Sequence, residues 1–163
     1  MKIFLIGFMK SGKSTVTELI SCKYKVKAYY LDELFVLKYG PIYSYFNDHG
    51  EDTFRQKESE ILRDIEFNEN CIVSTGGGIV EREDNMSYIK SQGKIIYLYN
   101  NLSTLKKRED NELRPNWNDN TLEALYKRRH VLYQKLADYT IDNVDLNLTV
   151  KRVAKYGNFN LHK

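Results

Sequence analysis

Short β-like runs and longer segments of helical periodicity alternate along the chain. Five runs predict β-strands, at residues 3–6, 28–31, 71–74, 94–98 and 140–142. The segments between them have helical rather than strand periodicity. Because strands that alternate with helices form parallel sheets covered on both faces, this rhythm predicts an α/β fold of three layers. We expect a central five-stranded parallel sheet flanked by helices.

Two of the intervening segments carry the clearest helical stripes. The apolar side chains of residues 51–67 recur on one side, at Phe54, Ile61, Leu62 and Ile65. Residues 122–136 repeat leucine at similar spacing, and residues 146–156 also favour a helix. A further helix is expected to start within residues 100–105. The polar stretch 109–120 is the best candidate for a mobile loop.

Size and charge narrow the class of protein. With 163 residues and 42% hydrophobic composition, the chain predicts a single domain over residues 1–163. The net charge of +3 predicts neither nucleic acid nor a membrane as partner. The longest apolar runs are far shorter than a membrane span, and no signal-peptide pattern is present, so we expect a cytoplasmic protein. Cys22 and Cys71 fit no metal-ligand spacing and are expected to be buried thiols.

A phosphate-binding motif lies directly after the first predicted strand. Residues 7–14 read G-x-x-x-x-G-K-S and lead into a helical segment. In this context the glycines let backbone N–H groups surround phosphate oxygens, Lys13 reaches the β and γ phosphates, and Ser14 offers its hydroxyl to Mg²⁺. The sequence therefore predicts binding of a nucleoside triphosphate. We assign this role to Lys10, Ser11, Gly12, Lys13, Ser14 and Thr15.

Further motifs stand where other predicted strands end or helices begin. Asp32 follows the second strand, and three consecutive glycines follow the third. Residues 50–58 read G-E-x-x-F-R-x-x-E, and residues 129–133 read R-x-x-L-Y. Because the carboxyl ends of parallel strands share one edge, we expect Asp32, the glycines and the phosphate loop around one crevice.

The order of these motifs resembles that of the shikimate kinases over nearly the whole chain. The resemblance implies the three-layer P-loop kinase fold with a mobile lid. It also implies a monomeric, ATP- and Mg²⁺-dependent enzyme of aromatic amino acid (chorismate) biosynthesis. Such an enzyme transfers the γ-phosphoryl group of ATP to shikimate and makes shikimate 3-phosphate and ADP.

The resemblance also implies roles for individual residues. Arg55 and Arg129 would hold the substrate carboxylate, a task that suits the guanidinium fork. Asp32 would orient or deprotonate the attacking hydroxyl, within a substrate-binding helical region of about residues 32–62. Backbone groups of the glycine triplet would approach the ring hydroxyls, and these residues are Gly76, Gly77 and Gly78.

The remaining implied roles concern the transferred phosphoryl group and the nucleotide base. Arg114, followed by Pro115, resembles the arginine of a lid, here about residues 109–120, that stabilises the transferring group together with Lys13. The catalytic set is therefore Lys13, Asp32 and Arg114. Arg108 resembles the residue that stacks on adenine, although it could equally belong to a solvated helix end.

Two positions depart from the family pattern. Counting without gaps from Lys13 places Asp32 on the second of the family's two aspartates and Tyr30 on the first, which helps to hold magnesium through water. A phenol cannot supply that carboxylate charge at neutral pH. Lys10 stands where the family usually has glycine, and it either adds a cation near the phosphates or points into solvent.

These departures leave two alternatives open. A related P-loop kinase could use another small hydroxy acid, such as a gluconate-like sugar acid, because a carboxylate clamp does not identify the ring. A degenerate homologue could bind ATP without turnover after loss of the carboxylate at position 30.

Overall fold

A central parallel sheet organises the protein. The computed structural model describes residues 1–108, 113–116, 118 and 121–160. All strands of the sheet are parallel, in the order β2-β3-β1-β4-β5. Their bounds are β1 Lys2–Ile6, β2 Lys27–Tyr30, β3 Cys71–Ser74, β4 Lys94–Tyr99 and β5 Tyr139–Asp142. The predicted five-stranded α/β fold is confirmed.

Helices lie between successive strands, and one more follows the last strand. They are α1 Lys13–Tyr24, α2 Leu31–Tyr39, α3 Ile42–His49, α4 Glu51–Asp64, α5 Glu83–Gln92, α6 Leu102–Lys107, α7 Leu122–Leu136 and α8 Leu146–Gly157. A short 3₁₀ turn, Ile79–Glu81, follows β3. No helix within the described ranges combines the length and apolar character that a membrane span requires.

The central strand β1 explains why the core has two halves. Its side chains alternate between the faces of the sheet, so Phe4 and Ile6 join one apolar cluster while Ile3 and Leu5 join the other. All four are fully buried. A strand covered by helices on both faces needs apolar residues at every position, which is why the sequence shows a continuous apolar run here.

The structure corrects three local expectations. The strand predicted to reach Leu31 ends at Tyr30, because Leu31 begins α2. The helix predicted to extend to residue 67 ends at Asp64, where Ile65 turns to extended backbone. Cys71 is buried as expected, but Cys22 is exposed. It lies on the outer side of α1, whose buried positions are Lys13, Val16, Thr17, Ile20 and Tyr24.

The candidate site residues lie along one edge of the sheet. The phosphate loop, α2, the glycine triplet and Asn143 all follow the carboxyl end of a strand. In parallel sheets this edge is where ligands bind. Most of the predicted lid lies outside the described residues, which include only 113–116 and 118 of it.

Candidate active site

The phosphate loop joins β1 to α1 at the middle of the sheet. A Cβ at Gly7 would lie 2.7 Å from the carbonyl oxygen of Leu98 on β4, so no side chain fits there. Gly12 has a φ of +87°, which favours glycine, and α1 begins at the next residue. The unpaired N–H groups of that first turn give the loop a positive end suited to a phosphate.

Lys13 is the cation at the centre of this loop. Its Nζ donates a hydrogen bond to the carbonyl oxygen of Gly7 at 2.9 Å. Burial lowers the pKa of Lys13 to about 8; the carboxylate of Asp32 opposes this shift, and Arg114 and Arg129 add to it. Three cationic side chains therefore act on one another here, and a polyanionic ligand would relieve their repulsion.

Arg55 and Glu58 form a buried ion pair on α4. Nη1 of Arg55 donates to Glu58 at 2.9 Å, and Nη2 donates to Glu51 at 3.4 Å. The two residues of the pair are only 8% and 4% exposed. Burial raises the pKa of Glu58, Arg55 opposes the rise, and Asp32 adds to it. Nε of Arg55 is buried with no hydrogen-bond partner among the described residues.

The glycine triplet after β3 makes room for these charged groups. A Cβ at Gly78 would overlap the guanidinium of Arg55, and one at Gly76 would overlap the carboxylate of Glu58 and lie 3.0 Å from Oδ1 of Asp32. None of the three glycines has a positive φ. Gly76 and Gly78 therefore leave room for charged side chains, and Gly77 lies close to the backbone of Met9; none of them is required for an unusual backbone conformation.

Arg129 enters the same region from α7. It is 2% exposed, its Nε donates to Glu81 at 2.7 Å, and its Cζ lies 5.9 Å from the centroid of the Phe8 ring. Its Nη2 is buried without a hydrogen-bond partner in the described part of the chain. One turn later, the Tyr133 hydroxyl donates to the carbonyl oxygen of Gly77, which ties α7 to the glycine triplet.

The ends of β2 and β3 lie beside Ser14. Tyr30 pairs in register with Ser74, and the hydroxyls of Ser14 and Ser74 are 3.4 Å apart. Burial and the nearby Glu18 and Glu33 raise the pKa of the Tyr30 phenol. The phenol is therefore neutral at physiological pH and supplies no carboxylate charge to this corner.

Lys10 in the phosphate loop and Arg108 after α6 each bind the backbone of the other. Nζ of Lys10 donates to the carbonyl oxygen of Arg108 at 3.0 Å, and Nη1 of Arg108 donates to that of Lys10 at 2.7 Å. Arg108 also donates to the carbonyl oxygen of Asn143, whose Nδ2 donates to that of Ser11. Arg108 is thus not a solvated helix end. Lys10 adopts a φ of +64°, the left-handed conformation in which glycine is unstrained.

A single cavity of about 1370 Å³ unites these groups. The predicted site residues all line it: Lys10, Ser11, Gly12, Lys13, Ser14, Thr15, Asp32, Arg55, Gly76, Gly77, Gly78, Arg108, Arg114 and Arg129. Loop and strand-end positions far apart in sequence thus face one space.

Three residues at this site received no role from the sequence. Glu58 and Glu81 hold the two buried arginines, and Asn143 holds the phosphate loop. Glu58 belongs to the G-E-x-x-F-R-x-x-E motif, and Asn143 follows the end of β5, so position gave some signal for both. For Glu81 the signal was only its closeness to the glycine triplet.

The phosphate loop opens onto a cavity that also holds buried arginines and a carboxylate. Together with the strand order of the sheet, this defines the protein as a P-loop kinase of a small molecule. The sequence profile of the family described as shikimate kinase matches residues 9–156. The chain belongs to the shikimate kinase family.

Individual relatives agree with this assignment. The shikimate kinase of Enterococcus faecalis is 35% identical over 150 residues, which cover 88% of this chain and 89% of that protein. The crystal structure of the Aquifex aeolicus shikimate kinase has a TM-score of 0.82 and 33% identity, and it covers 97% of this chain and 98% of its own. The Acinetobacter baumannii enzyme in complex with shikimate has a TM-score of 0.86 and 25% identity, with coverage of 95% and 91%.

A more distant likeness concerns the fold alone. A gluconokinase from Sinorhizobium meliloti has a TM-score of 0.61 at 14% identity, with coverage of 96% of this chain and 90% of its own. The predicted relation to shikimate kinases, rather than to sugar-acid kinases, is therefore confirmed at the level of sequence.

Proposed function

We propose that the cavity binds ATP and shikimate side by side and transfers the γ-phosphoryl group between them. A shikimate hydroxyl oxygen forms the new bond to phosphorus, the bond between the γ phosphorus and the bridging oxygen breaks, and ADP leaves. The hydroxyl proton passes to Asp32 or to water. Membership of the shikimate kinase family makes ATP-dependent phosphorylation of shikimate the activity of this enzyme.

The observation that carries the proposal is the pair of buried arginines in the cavity of the phosphate loop. Arg55 and Arg129 each keep one buried nitrogen without a hydrogen-bond partner in the described ranges. An unpaired buried donor costs free energy, which a bound carboxylate would recover. A substrate with a carboxylate at one end and a hydroxyl directed at the phosphate loop fits this arrangement.

The position of Asp32 supports a role in orienting the attacking hydroxyl. It stands in the first turn of α2 and lines the cavity, and its Oδ1 would lie 3.0 Å from a Cβ at Gly76. Its charge acts on both Lys13 and Glu58. Asp32 thus lies between the phosphate loop and the acceptor side, where a base for the hydroxyl is required.

Arg114 and Lys13 would stabilise the transferring phosphoryl group. Arg114 lines the cavity, and its charge acts on the Lys13 ammonium. Arg108 instead forms a wall beside the phosphate loop, where its planar guanidinium can support adenine. Closure of the predicted lid, about residues 109–120, over the bound nucleotide would exclude water and so limit loss of ATP by hydrolysis.

Magnesium would be held mainly by the nucleotide. The described residues contain no group of three His, Cys, Asp or Glu side chains arranged to hold a metal. The hydroxyl of Ser14, with Ser74 beside it, fits a Mg²⁺ ion that keeps its phosphate and water ligands. When bound, the ion would neutralise charge on the phosphates, and Ser14 would be its direct ligand from the protein.

We also propose that the protein works as a monomer in the cytoplasm. Every residue assigned to the site lies on one chain, so the site needs no partner subunit. Analytical ultracentrifugation tests the monomeric state, since a stable dimer would contradict it.

The test of the function is ADP release by the purified protein with ATP and Mg²⁺, with and without shikimate. We expect turnover that depends on shikimate and on Mg²⁺. The same assay with quinate, gluconate and other hydroxy acids tests specificity. Equal rates on several sugar acids, or ATP binding without turnover, would overturn the assignment of the acceptor.

A further inference from the structure

We propose that Glu81 is a positioning residue of the acceptor site, which fixes the guanidinium of Arg129 in the orientation that binds the substrate carboxylate. The inference rests on the proposed function, in which Arg129 is one arm of the carboxylate clamp. Glu81 is neither in the phosphate loop nor among the cavity-lining groups, so it acts through Arg129.

The contact is charged and largely shielded from solvent. One oxygen of Glu81, Oε1, accepts hydrogen bonds from Nε of Arg129 at 2.7 Å and from Nη2 of Arg128 at 2.8 Å. The side chains of Glu81 and Arg129 are 17% and 2% exposed, whereas that of Arg128 is 60% exposed. Burial opposes ionisation of Glu81, but the two guanidinium groups outweigh it and hold its pKa below the ordinary value.

The geometry leaves the other end of the Arg129 fork available. Glu81 engages Nε, and the ring of Phe8 lies 5.9 Å from Cζ. Nη2 has no hydrogen-bond partner among the described residues although it is buried. Because a guanidinium is planar, fixing Nε sets the direction of its Nη donors.

Local charge also favours an incoming carboxylate. Glu81 supplies one negative charge to the two guanidinium groups that it contacts, so this hydrogen-bonded group of three side chains keeps one positive charge. Arg55 differs, because it already has both Glu58 and Glu51 as ion-pair partners. Glu81 therefore fixes the direction of the Arg129 donors and leaves part of the guanidinium charge without a counter-charge.

The backbone connects Glu81 to the rest of the acceptor side. Glu81 ends the 3₁₀ turn that follows the glycine triplet, and its N–H donates to the carbonyl oxygen of Gly78 at 3.0 Å. Gly78 in turn leaves the space that the Arg55 guanidinium occupies. One short turn thus sets the positions of both arms of the clamp.

The experiment compares Glu81→Gln, Glu81→Asp and Glu83→Gln. Glu83 is exposed and receives the same chemical change, so it is the matched control. We expect Glu81→Gln to raise the KM for shikimate roughly tenfold, in line with loss of a charged hydrogen bond. kcat and the KM for ATP should stay within about twofold of wild type, because the lost interaction acts on substrate binding. Glu81→Asp, which keeps the charge, should recover part of the affinity.

A second measurement reports on the contact without turnover. In the NMR spectrum of arginine side chains, the Nε–H signal of Arg129, assigned with Arg129→Lys, should shift and exchange faster in Glu81→Gln but not in Glu83→Gln. An unchanged KM for shikimate, or equal rises in the KM for shikimate and ATP, would overturn the inference. If wild type shows no shikimate-dependent turnover, the proposed function fails; an Nε–H signal unaffected by Glu81→Gln would then refute the contact itself.

Discussion

The two sides of the cavity are built in different ways. On the nucleotide side, one contiguous stretch, residues 7–14, supplies the backbone turn, the helix start and the lysine. On the acceptor side, α2, α4, the 3₁₀ turn and α7 each contribute one or two side chains, and the glycine triplet leaves the space that some of them occupy. The first side binds through local backbone geometry. The second binds through buried ion pairs, one within α4 and one between α7 and the turn after β3, on elements that only the tertiary structure brings together.

This difference has an energetic consequence. The nucleotide side depends on backbone conformation and on few side chains, so single substitutions there should act largely independently. The acceptor side depends on Arg55, Glu58, Glu81 and Arg129 holding one another in place. Groups in one charged network couple, and their effects are not additive.

The largest effect is expected for Lys13→Met. This change removes the cation held at the carbonyl oxygen of Gly7, and with it the charge offered to the transferring phosphoryl group. We expect kcat to fall about a hundredfold to a thousandfold, as for loss of a principal electrostatic group. Calorimetric titration should show unchanged shikimate affinity; an equal loss there would mean that the two sides are not separate.

Arg55→Ala tests the opposite side. It removes one arm of the proposed clamp and leaves Glu58 buried without its ion-pair partner. We expect shikimate affinity to fall about tenfold to a hundredfold, with ATP affinity spared. The melting temperature should also drop, because an unpaired buried carboxylate destabilises the fold. Gln56→Ala, at an exposed position on the same helix, is the control. Unchanged shikimate affinity would remove Arg55 from the clamp.

Substitutions at two neighbouring glycines test whether the triplet is needed to leave room for side chains or for its backbone conformation. A methyl group at Gly78 would overlap the Arg55 guanidinium, whereas one at Gly77 would meet Met9 N at 3.3 Å. We therefore expect Gly78→Ala to raise the KM for shikimate about tenfold and Gly77→Ala to raise it less, since overpacking costs more at Gly78. Steady-state kinetics on both variants measure this. Equal effects would show that the triplet is needed for its backbone instead.

A pH titration separates the two sides without mutation. Burial lowers the pKa of Lys13 to about 8, so the free protein loses this charge as the pH rises through that value. Only the protonated ammonium attracts phosphate, and ATP affinity should thus fall about fivefold between about pH 7.5 and about pH 8.8. Lys13→Arg, which stays charged, should remove this dependence. Shikimate affinity should stay flat over the same range, because guanidinium groups do not titrate there; a parallel fall would contradict the assignment to Lys13.

The smallest effects are expected at Lys10. Lys10→Gly relieves the left-handed backbone at φ +64° but loses the bond from Nζ to Arg108, so the two changes nearly cancel. Lys10→Ala loses the bond and keeps the strain, and it should lower the free energy of unfolding by about 1 kcal/mol. Chemical denaturation measures this difference. The KM for ATP should change less than about threefold in both variants; a larger change would give Lys10 a direct role with phosphate.

The sequence predicted the fold well because its signals are local. Each of the five strands was found as a short β-like run, and β1 is buried on both faces, as its continuous apolar run requires. Boundaries were less certain where two elements join without a break, as at Leu31, or where an apolar stripe outlasts its helix, as at Ile65. Cys22 was misplaced because a single cysteine carries no periodicity of its own.

The residues of the candidate site also differ in how far local sequence predicts them. The phosphate loop was predicted residue by residue, since its motif is contiguous. Arg55 and Arg129 were predicted only through the resemblance to a family. Glu58 received no role although it lies three residues after Arg55 on the same helix. Glu81 received none because an ion pair between α7 and the turn after β3 leaves no spacing rule in the sequence.

By itself, the sequence determined the strand and helix pattern, the phosphate loop and the family motifs, because each depends on neighbours along the chain. Tertiary structure alone decided what the glycine triplet makes room for, that Glu81 holds Arg129, and that Lys10 reaches Arg108. These depend on distances between elements far apart in sequence, and only the packing of helices on the sheet sets those distances.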